Sequence, residues 1–332
     1  MHFNVEFPNI GLELTLNRVA ISIFGLDIYW YGILIATGAF LGALFLFKNA
    51  KRFGVDEDKA IDILMIGAVA AIICGRAYYV IFAPFKYETF LDMIDIRDGG
   101  MAIYGSVIGA FVFGYLACKW KKQRILPLFD VVGVGFLIGI SVGRWGNFVN
   151  QEAFGTNTFL PWAMISEGTK NHLTSVQATL LQQGITVDPT LPVHPTFLYE
   201  SLWCALGVFL LWKYSYKRKF DGELFLLFLA YYGTGRFLIE GVRTDSLMIG
   251  SLRVSQMLAL LLVIISISTR FVVMKKLKDK IENEETILYV DILAKQQLEL
   301  NTNQEEIADE SNVEKVDEVK ENVKVEDEDG KV

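Results

Sequence analysis

Apolar residues run through this chain in long unbroken blocks, not in one-sided stripes. Seven blocks, at residues 28–47, 60–83, 101–118, 127–149, 196–212, 223–242 and 251–273, are predicted as helices. A helix that is apolar all round meets lipid or other helices on every side. About 20 such residues cross the roughly 30 Å hydrocarbon core of a bilayer. The expected fold is an all-α polytopic membrane protein with seven transmembrane helices. Glycine recurs in the third and fourth blocks, at Gly105, Gly109 and Gly114 and at Gly133, Gly135 and Gly139, and such small residues let helices pack closely.

Basic residues alternate between the connections. Lys48, Lys51, Arg52 and Lys59 follow the first block, Lys119, Lys121, Lys122 and Arg124 the third, Lys213, Lys217, Arg218 and Lys219 the fifth, and Arg270, Lys275, Lys276, Lys278 and Lys280 the seventh. The other connections are poor in charge. The positive-inside rule then puts the N-terminus outside, the C-terminus in the cytoplasm and an odd number of spans between them. Met1 to Glu6 has no basic stretch leading into an apolar one, so the first span is expected to act as an uncleaved insertion signal. Residues 150–195 are polar and carry Pro161, Pro189, Pro192 and Pro195, and are expected to form a small extracytoplasmic cap. The expected division is a membrane domain at 1–275, containing that cap, and a cytoplasmic acidic tail at 276–332. The tail is expected to be disordered apart from one helical stretch near Ile287 to Leu300.

Composition agrees with a membrane protein, 52% of the 332 residues being hydrophobic. The formal net charge of -7 misleads, because acidic residues far outnumber basic ones from Glu282 onward and the rest is mildly basic. Cys74, Cys118 and Cys204 lie in or beside apolar blocks without metal-ligand or redox spacing. No cofactor, metal site or nucleic-acid partner is expected.

With the orientation fixed, the unusual polar residues all fall at the outer ends of their helices. These are Tyr29, Trp30 and Tyr31 in the first, Arg76, Tyr78 and Tyr79 in the second, and Tyr104 in the third. The fourth ends in Arg144, Asn147, Asn150 and Glu152, the fifth opens at His194 to Glu200, and the sixth ends in Arg236, Glu240 and Arg243. Ionisable residues inside a membrane are costly and usually face the bundle interior. Arg236, Glu240 and Arg243 stand at i, i+4 and i+7, so a continuous helix puts them on one face. Guanidinium groups bind phosphate oxygens in a fork, and a nearby carboxylate can hold an arginine in place. Gly143, Gly146 and Gly155 permit close backbone approach. The charge pattern suits an anionic lipid headgroup better than a cation.

The string Gly143-Arg144-x-Gly146-Asn147-Phe148-x-Asn150-x-Glu152-x-x-Gly155 resembles the signature of the prolipoprotein diacylglyceryl transferases. Further blocks match in order: Tyr31-Gly32, Gly99-Gly100-x-x-x-Tyr104-Gly105, His194-Pro-Thr-x-Leu-Tyr199-Glu200 and Tyr232-Gly-x-x-Arg236-Phe-x-x-Glu240-x-x-Arg243. The resemblance covers about residues 1–275. It implies an enzyme of the bacterial plasma membrane that transfers the diacylglyceryl group of phosphatidylglycerol to the lipobox cysteine of a prolipoprotein, making a thioether and releasing glycerol 1-phosphate. It also implies that Arg144 and Arg236 take the phosphate, that Asn147 and Glu152 serve the headgroup or structure, and that Glu240 orients an arginine. Tyr31, Asn150, Gly155, Tyr232 and Arg243 are expected to join the substrate site.

In some members the position of Tyr104 is a histidine proposed as the general base. A free phenol, with a pKa of about 10, is a poorer base at neutral pH. Three alternatives stay open: Tyr104 only binds, His194 or a carboxylate takes the proton, or the arginine field generates the thiolate. A different class of function, a transporter for an anionic lipid or small anion using the same arginines, is opposed by the lack of paired, broken-helix repeats. An intramembrane hydrolase lacks its motifs.

Overall fold

The computed structural model describes residues 2–83, 85, 87, 89–95, 99–250 and 252–282. Each of the seven apolar blocks lies on a helix: α1 (Trp30–Asn49), α2 (Glu57–Ile81), α4 (Ile103–Trp120), α5 (Ile125–Asn150), α7 (Thr196–Ser215), α8 (Glu223–Glu240) and α9 (Val254–Glu282). Among the described residues five of these, α1, α2, α4, α5 and α9, are long and apolar enough to cross a membrane. At 20 and 18 residues α7 and α8 are no shorter than α1 and α4, but they carry Glu200, Glu223, Arg236 and Glu240, which dilute their hydropathy. Two further helices, α3 (Phe90–Ile94) and α6 (Glu167–Gln182), lie between the blocks.

The chain divides into two units. One comprises residues 1–215 and 221–272 and contains the site; the other comprises 216–220 and 273–332. Residues 276–282, placed by sequence in the tail, continue α9. The disorder expected of the tail and the helix expected near Ile287 both concern residues outside the described ones.

Strands correct the all-helical expectation. β1 (His2–Phe7) pairs antiparallel with β2 (Leu12–Asn17), and on its other edge Val5 pairs Ser166 of β5 (Ile165–Ser166). Phe3, Val5 and Phe7 are buried while Asn4 and Glu6 are exposed, the alternation of a strand with one wet face. These residues build a small core with Phe154, Met164, Leu173, Leu180, Val187 and Val193, joined by Phe148 of α5 and Phe197 of α7. The lobe formed by residues 151–195 is thus completed by the N-terminal strands. A second hairpin, β3 (Val19–Ile23) with β4 (Leu26–Tyr29), leads into α1. A third, β6 (Met248–Ile249) with β7 (Leu252–Arg253), leads into α9.

The helices pack chiefly in pairs, α1 along α5 and α2 along α4, with α7 and α8 against α5. Glycines set the spacing of the first pair. A Cβ on Gly38 would stand 2.8 Å from the Gly139 carbonyl, and one on Gly42 2.7 Å from that of Gly135. Such contact leaves no room for side chains and gains dispersion energy along two backbones. Gly105 and Gly109 bring α4 equally close to Cys74 and Ala70 of α2, whereas Gly114 faces open space.

Candidate functional site

Three helices bring the arginines together. Arg144 of α5 and Arg236 of α8 meet on one carboxylate, Glu200 of α7: Arg144 Nη2 lies 2.5 Å from Glu200 Oε1 and Arg236 Nη1 3.4 Å from Glu200 Oε2. The Tyr232 hydroxyl donates to the same Oε1 at 3.3 Å. Arg236 continues to Glu240, with Nη2 2.6 Å from Oε2. That contact lacks hydrogen-bond alignment, since Glu240 Oε2 is buried without a hydrogen-bond donor. Arg243 Nε stands 4.0 Å from the same oxygen, and its fork closes on Asp245 at 2.9 and 2.6 Å. The result is a chain of alternating charge, Arg144, Glu200, Arg236, Glu240, Arg243, Asp245. The carboxylates of Glu200 and Glu240 are 2% exposed, whereas Arg144 and Arg236 are 20% and 21% exposed. The anions therefore back the cations, which keep one side open.

The i, i+4, i+7 face predicted for α8 holds for Arg236 and Glu240 only. The helix ends at Glu240, and the backbone tightens through Val242 N to Ile239 O and Arg243 N to Glu240 O, both 3.2 Å. Arg243 lies in this turn, outside the helix. Burial pulls its pKa down, but the hydrogen bonds and charge of Asp245 outweigh that and raise it; for Asp245 burial raises and Arg243 more than reverses, leaving it low. The sequence reading quotes Glu200 in the polar opening of the fifth block and in a matching motif but gives it no role, and does not single out Asp245. A glutamate inside an otherwise apolar block was the available signal for Glu200.

The signature string forms the end of α5 and the turn after it. Arg144 Nη1 donates to Asn147 Oδ1 at 3.3 Å, and the amides of Asn147 and Asn150 converge on Glu152 Oε1 at 2.8 and 3.4 Å. Glu152 reaches back because Gln151 (φ 56) and Ala153 (φ 58) flank it in the left-handed region, an unfavourable conformation for residues with side chains. Gly168 N donates to Gln151 Oε1, and Arg18 donates to the Asn150 carbonyl at 2.8 Å, a cation at the negative end of α5. Gly155 threads between neighbours, where a Cβ would lie 2.7 Å from Val242 O and 2.9 Å from His194 Cβ. Its role here is close packing.

An apolar trough of about 740 Å3 opens between the pairs α1/α5 and α2/α4. Phe40, Leu46, Met65 and Phe136 line its length, and Tyr31, Arg144 and Asn147 stand at one end. From Tyr31 to Leu46 a helix rises about 22 Å, more than the roughly 15 Å of one leaflet. Phe40, Met65 and Phe136 are more than half exposed, so the trough is open along its side.

The remaining candidates lie elsewhere. Tyr104, in the first turn of α4, is exposed and makes no side-chain hydrogen bond among the described residues; its neighbour Ile103 lines the trough. His194 precedes α7, with Nδ1 3.0 Å from the Tyr199 hydroxyl, and burial lowers its pKa. Arg76 is occupied by the carbonyls of Asp92, Met93, Gly99 and Gly100 at 2.8 to 3.1 Å, and so pins that segment to α2. Among the described residues no three of His, Cys, Asp and Glu gather as metal ligands.

The profile of the prolipoprotein diacylglyceryl transferase family matches residues 18–272. Among curated relatives, the phosphatidylglycerol--prolipoprotein diacylglyceryl transferase of Finegoldia magna is 44% identical over 252 residues, 75% of this chain and 92% of that protein. The protein of the same name from Clostridioides difficile is 40% identical over 271 residues, 81% of this chain and 100% of its own. That from Bacillus cytotoxicus is 38% identical over 262 residues, 78% and 92% respectively.

Proposed function

Because the chain belongs to the prolipoprotein diacylglyceryl transferase family, we propose that its arginine cluster binds the phosphate of phosphatidylglycerol while the trough holds the acyl chains. The protein is a bacterial multi-pass membrane transferase of lipoprotein maturation that acts on phosphatidylglycerol and a prolipoprotein. The single observation that carries the site assignment is that Arg144 stands both in the ion-pair cluster and at the polar end of the apolar trough. A phospholipid asks for that combination, a charged clamp continuous with a slot for hydrocarbon. The open side of the trough lets an amphiphile enter laterally from the bilayer.

In this reading α7 and α8 also cross the membrane, making seven spans, with the N-terminus and the lobe of 151–195 outside. The lipobox cysteine then approaches where exported precursors emerge. Its thiol loses a proton, and the sulfur attacks the glyceryl carbon that bears the phosphodiester oxygen. The C–S bond forms, the C–O bond breaks, and the electron pair leaves on glycerol 1-phosphate. Charge grows on the phosphate as that bond breaks, and guanidinium groups already fixed in a site of low dielectric stabilise it. Asn147 and Glu152, tied to Arg144, face the headgroup glycerol, Asn150, Tyr31, Tyr232 and Arg243 complete the walls, and Gly155 serves the site by letting the loop behind them pack closely. Glu240 orients Arg236.

The test uses purified protein in phosphatidylglycerol vesicles with the headgroup-distal glycerol labelled, a lipobox peptide, and a Cys→Ser peptide as control. Label on the cysteine peptide alone, lost with Arg144→Ala and with Arg236→Ala in proteins that still insert, is the expected result. Substantial lipidation by both variants would remove the phosphate clamp.

A further inference from the structure

We propose that Glu200 is a positioning residue that sets the separation and orientation of the two phosphate-binding guanidinium groups. The inference rests on the reading that Arg144 and Arg236 take the phosphate. Those arginines sit on different helices and carry the same charge, so left to themselves they repel. Among the described residues Glu200 alone contacts both, one oxygen for each. Glu240 reaches Arg236 but not Arg144, and Glu152 is joined to Arg144 only through Asn147. At 2% exposure, and with Tyr232 donating to Oε1, the carboxylate has little freedom to turn.

The two contacts are unequal. The 2.5 Å pair with Arg144 is tight, whereas the 3.4 Å contact with Arg236 is loose. Arg144 is thus the half that Glu200 fixes, while Arg236, held at Nη2 by Glu240 at 2.6 Å, keeps an Nη1 that can turn from Glu200 to phosphate as charge develops on the leaving group. The carboxylate itself stays behind the arginines and touches neither substrate nor reacting atoms. It acts through them.

The experiment compares wild type with Glu200→Gln, Glu200→Asp, Arg236→Lys and the double variant Glu200→Gln/Arg236→Lys, full length and in vesicles, reading kcat and KM for phosphatidylglycerol and the unfolding temperature. A group that orients transition-state partners is expected to cost about 100-fold in kcat with KM moved less than about threefold in Glu200→Gln. Because both residues work through one arrangement, the double variant is expected within about threefold of the worse single one. Glu200→Asp keeps the charge but draws it back, and is expected to regain about tenfold of the loss. Glu200→Gln at wild-type kcat, or losses that multiply in the double variant, would overturn the proposal. If Glu200→Gln does not insert, Glu200→Asp decides: wild-type kcat overturns, and a fall of about tenfold at unchanged unfolding temperature supports. Active Arg144→Ala and Arg236→Ala proteins would remove the phosphate reading itself; dead arginine variants beside a fully active Glu200→Gln would remove only the role of Glu200.

Discussion

The Tyr199 hydroxyl lies 3.0 Å from His194 Nδ1 and accepts from the Trp162 indole at 2.8 Å. The imidazole is thus tied by one nitrogen to the first turn of α7, whichever of the two groups donates. His194 is absent both from the lining of the trough and from the chain of ion pairs that joins Arg144 to Asp245. It is therefore not placed to take a proton from a thiol beside the arginines.

His194→Gln is therefore expected to lower kcat by less than about tenfold, below the 10²–10⁴-fold usual for loss of a general base. The histidine should appear instead in stability. Burial holds its folded pKa below the unfolded value of about 6.5, so the unfolded chain binds more protons between the two values. The stabilisation of the neutral form is complete above that unfolded value and falls away as the pH drops through the folded one. Unfolding temperatures in detergent from pH 8 to 5 should show this decline in wild type and a shallower one in His194→Gln.

Among the described residues no partner holds the Tyr104 hydroxyl, and Tyr104 stands beside a residue of the trough wall. If its oxygen takes the thiol proton, Tyr104→Phe should lower kcat about 100-fold. Tyr104→His should restore it with an acidic limb near the imidazole range of about 6.5. Wild-type kcat in Tyr104→Phe would leave proton removal to the arginine field.

Gly42→Leu forces a side chain against a backbone carbonyl 2.7 Å from its Cβ. Neither helix can yield locally, so overpacking of about 1–3 kcal/mol or more is expected. The measurement is the unfolding temperature of the purified protein, with Gly114→Leu, which meets only open space, as the neutral control.

Asp245→Asn removes the fork that holds Arg243. With its folded pKa held below the usual carboxylate value of about 3.9, Asp245 contributes stability that is present above that value and lost as the pH falls through the lower, folded one. The variant should be less stable than wild type at neutral pH, and the gap should close toward pH 3. A constant gap across the range would show that the fork contributes nothing ionic.

The helices were legible because long apolar blocks carry their own signal, and each block coincides with a helix. Arg144, Asn147 and Glu152 were legible because polar residues so close to an apolar run demand compensation, and in the structure they bond to one another. Glu200 was visible but unranked, since one carboxylate in a block says nothing of which cations reach it from two other helices. β1 and β2 were missed although Phe3, Val5 and Phe7 alternate with polar residues, because short strands are stabilised by partners far along the chain. α6 was missed because it is polar, with Leu173 and Leu180 carrying most of its burial. Arg243 was placed on α8 because spacing alone does not reveal where a helix stops.

The edge of β1 that pairs with Ser166 imposes an order on biogenesis. β1 leaves the ribosome well before its second partner strand, which is made only after α1, α2, α4 and α5 have been synthesised. Until then Phe3, Val5 and Phe7 have only half of their shelter. The lobe that adjoins the end of α5 can therefore close only once the segment following that helix has been made.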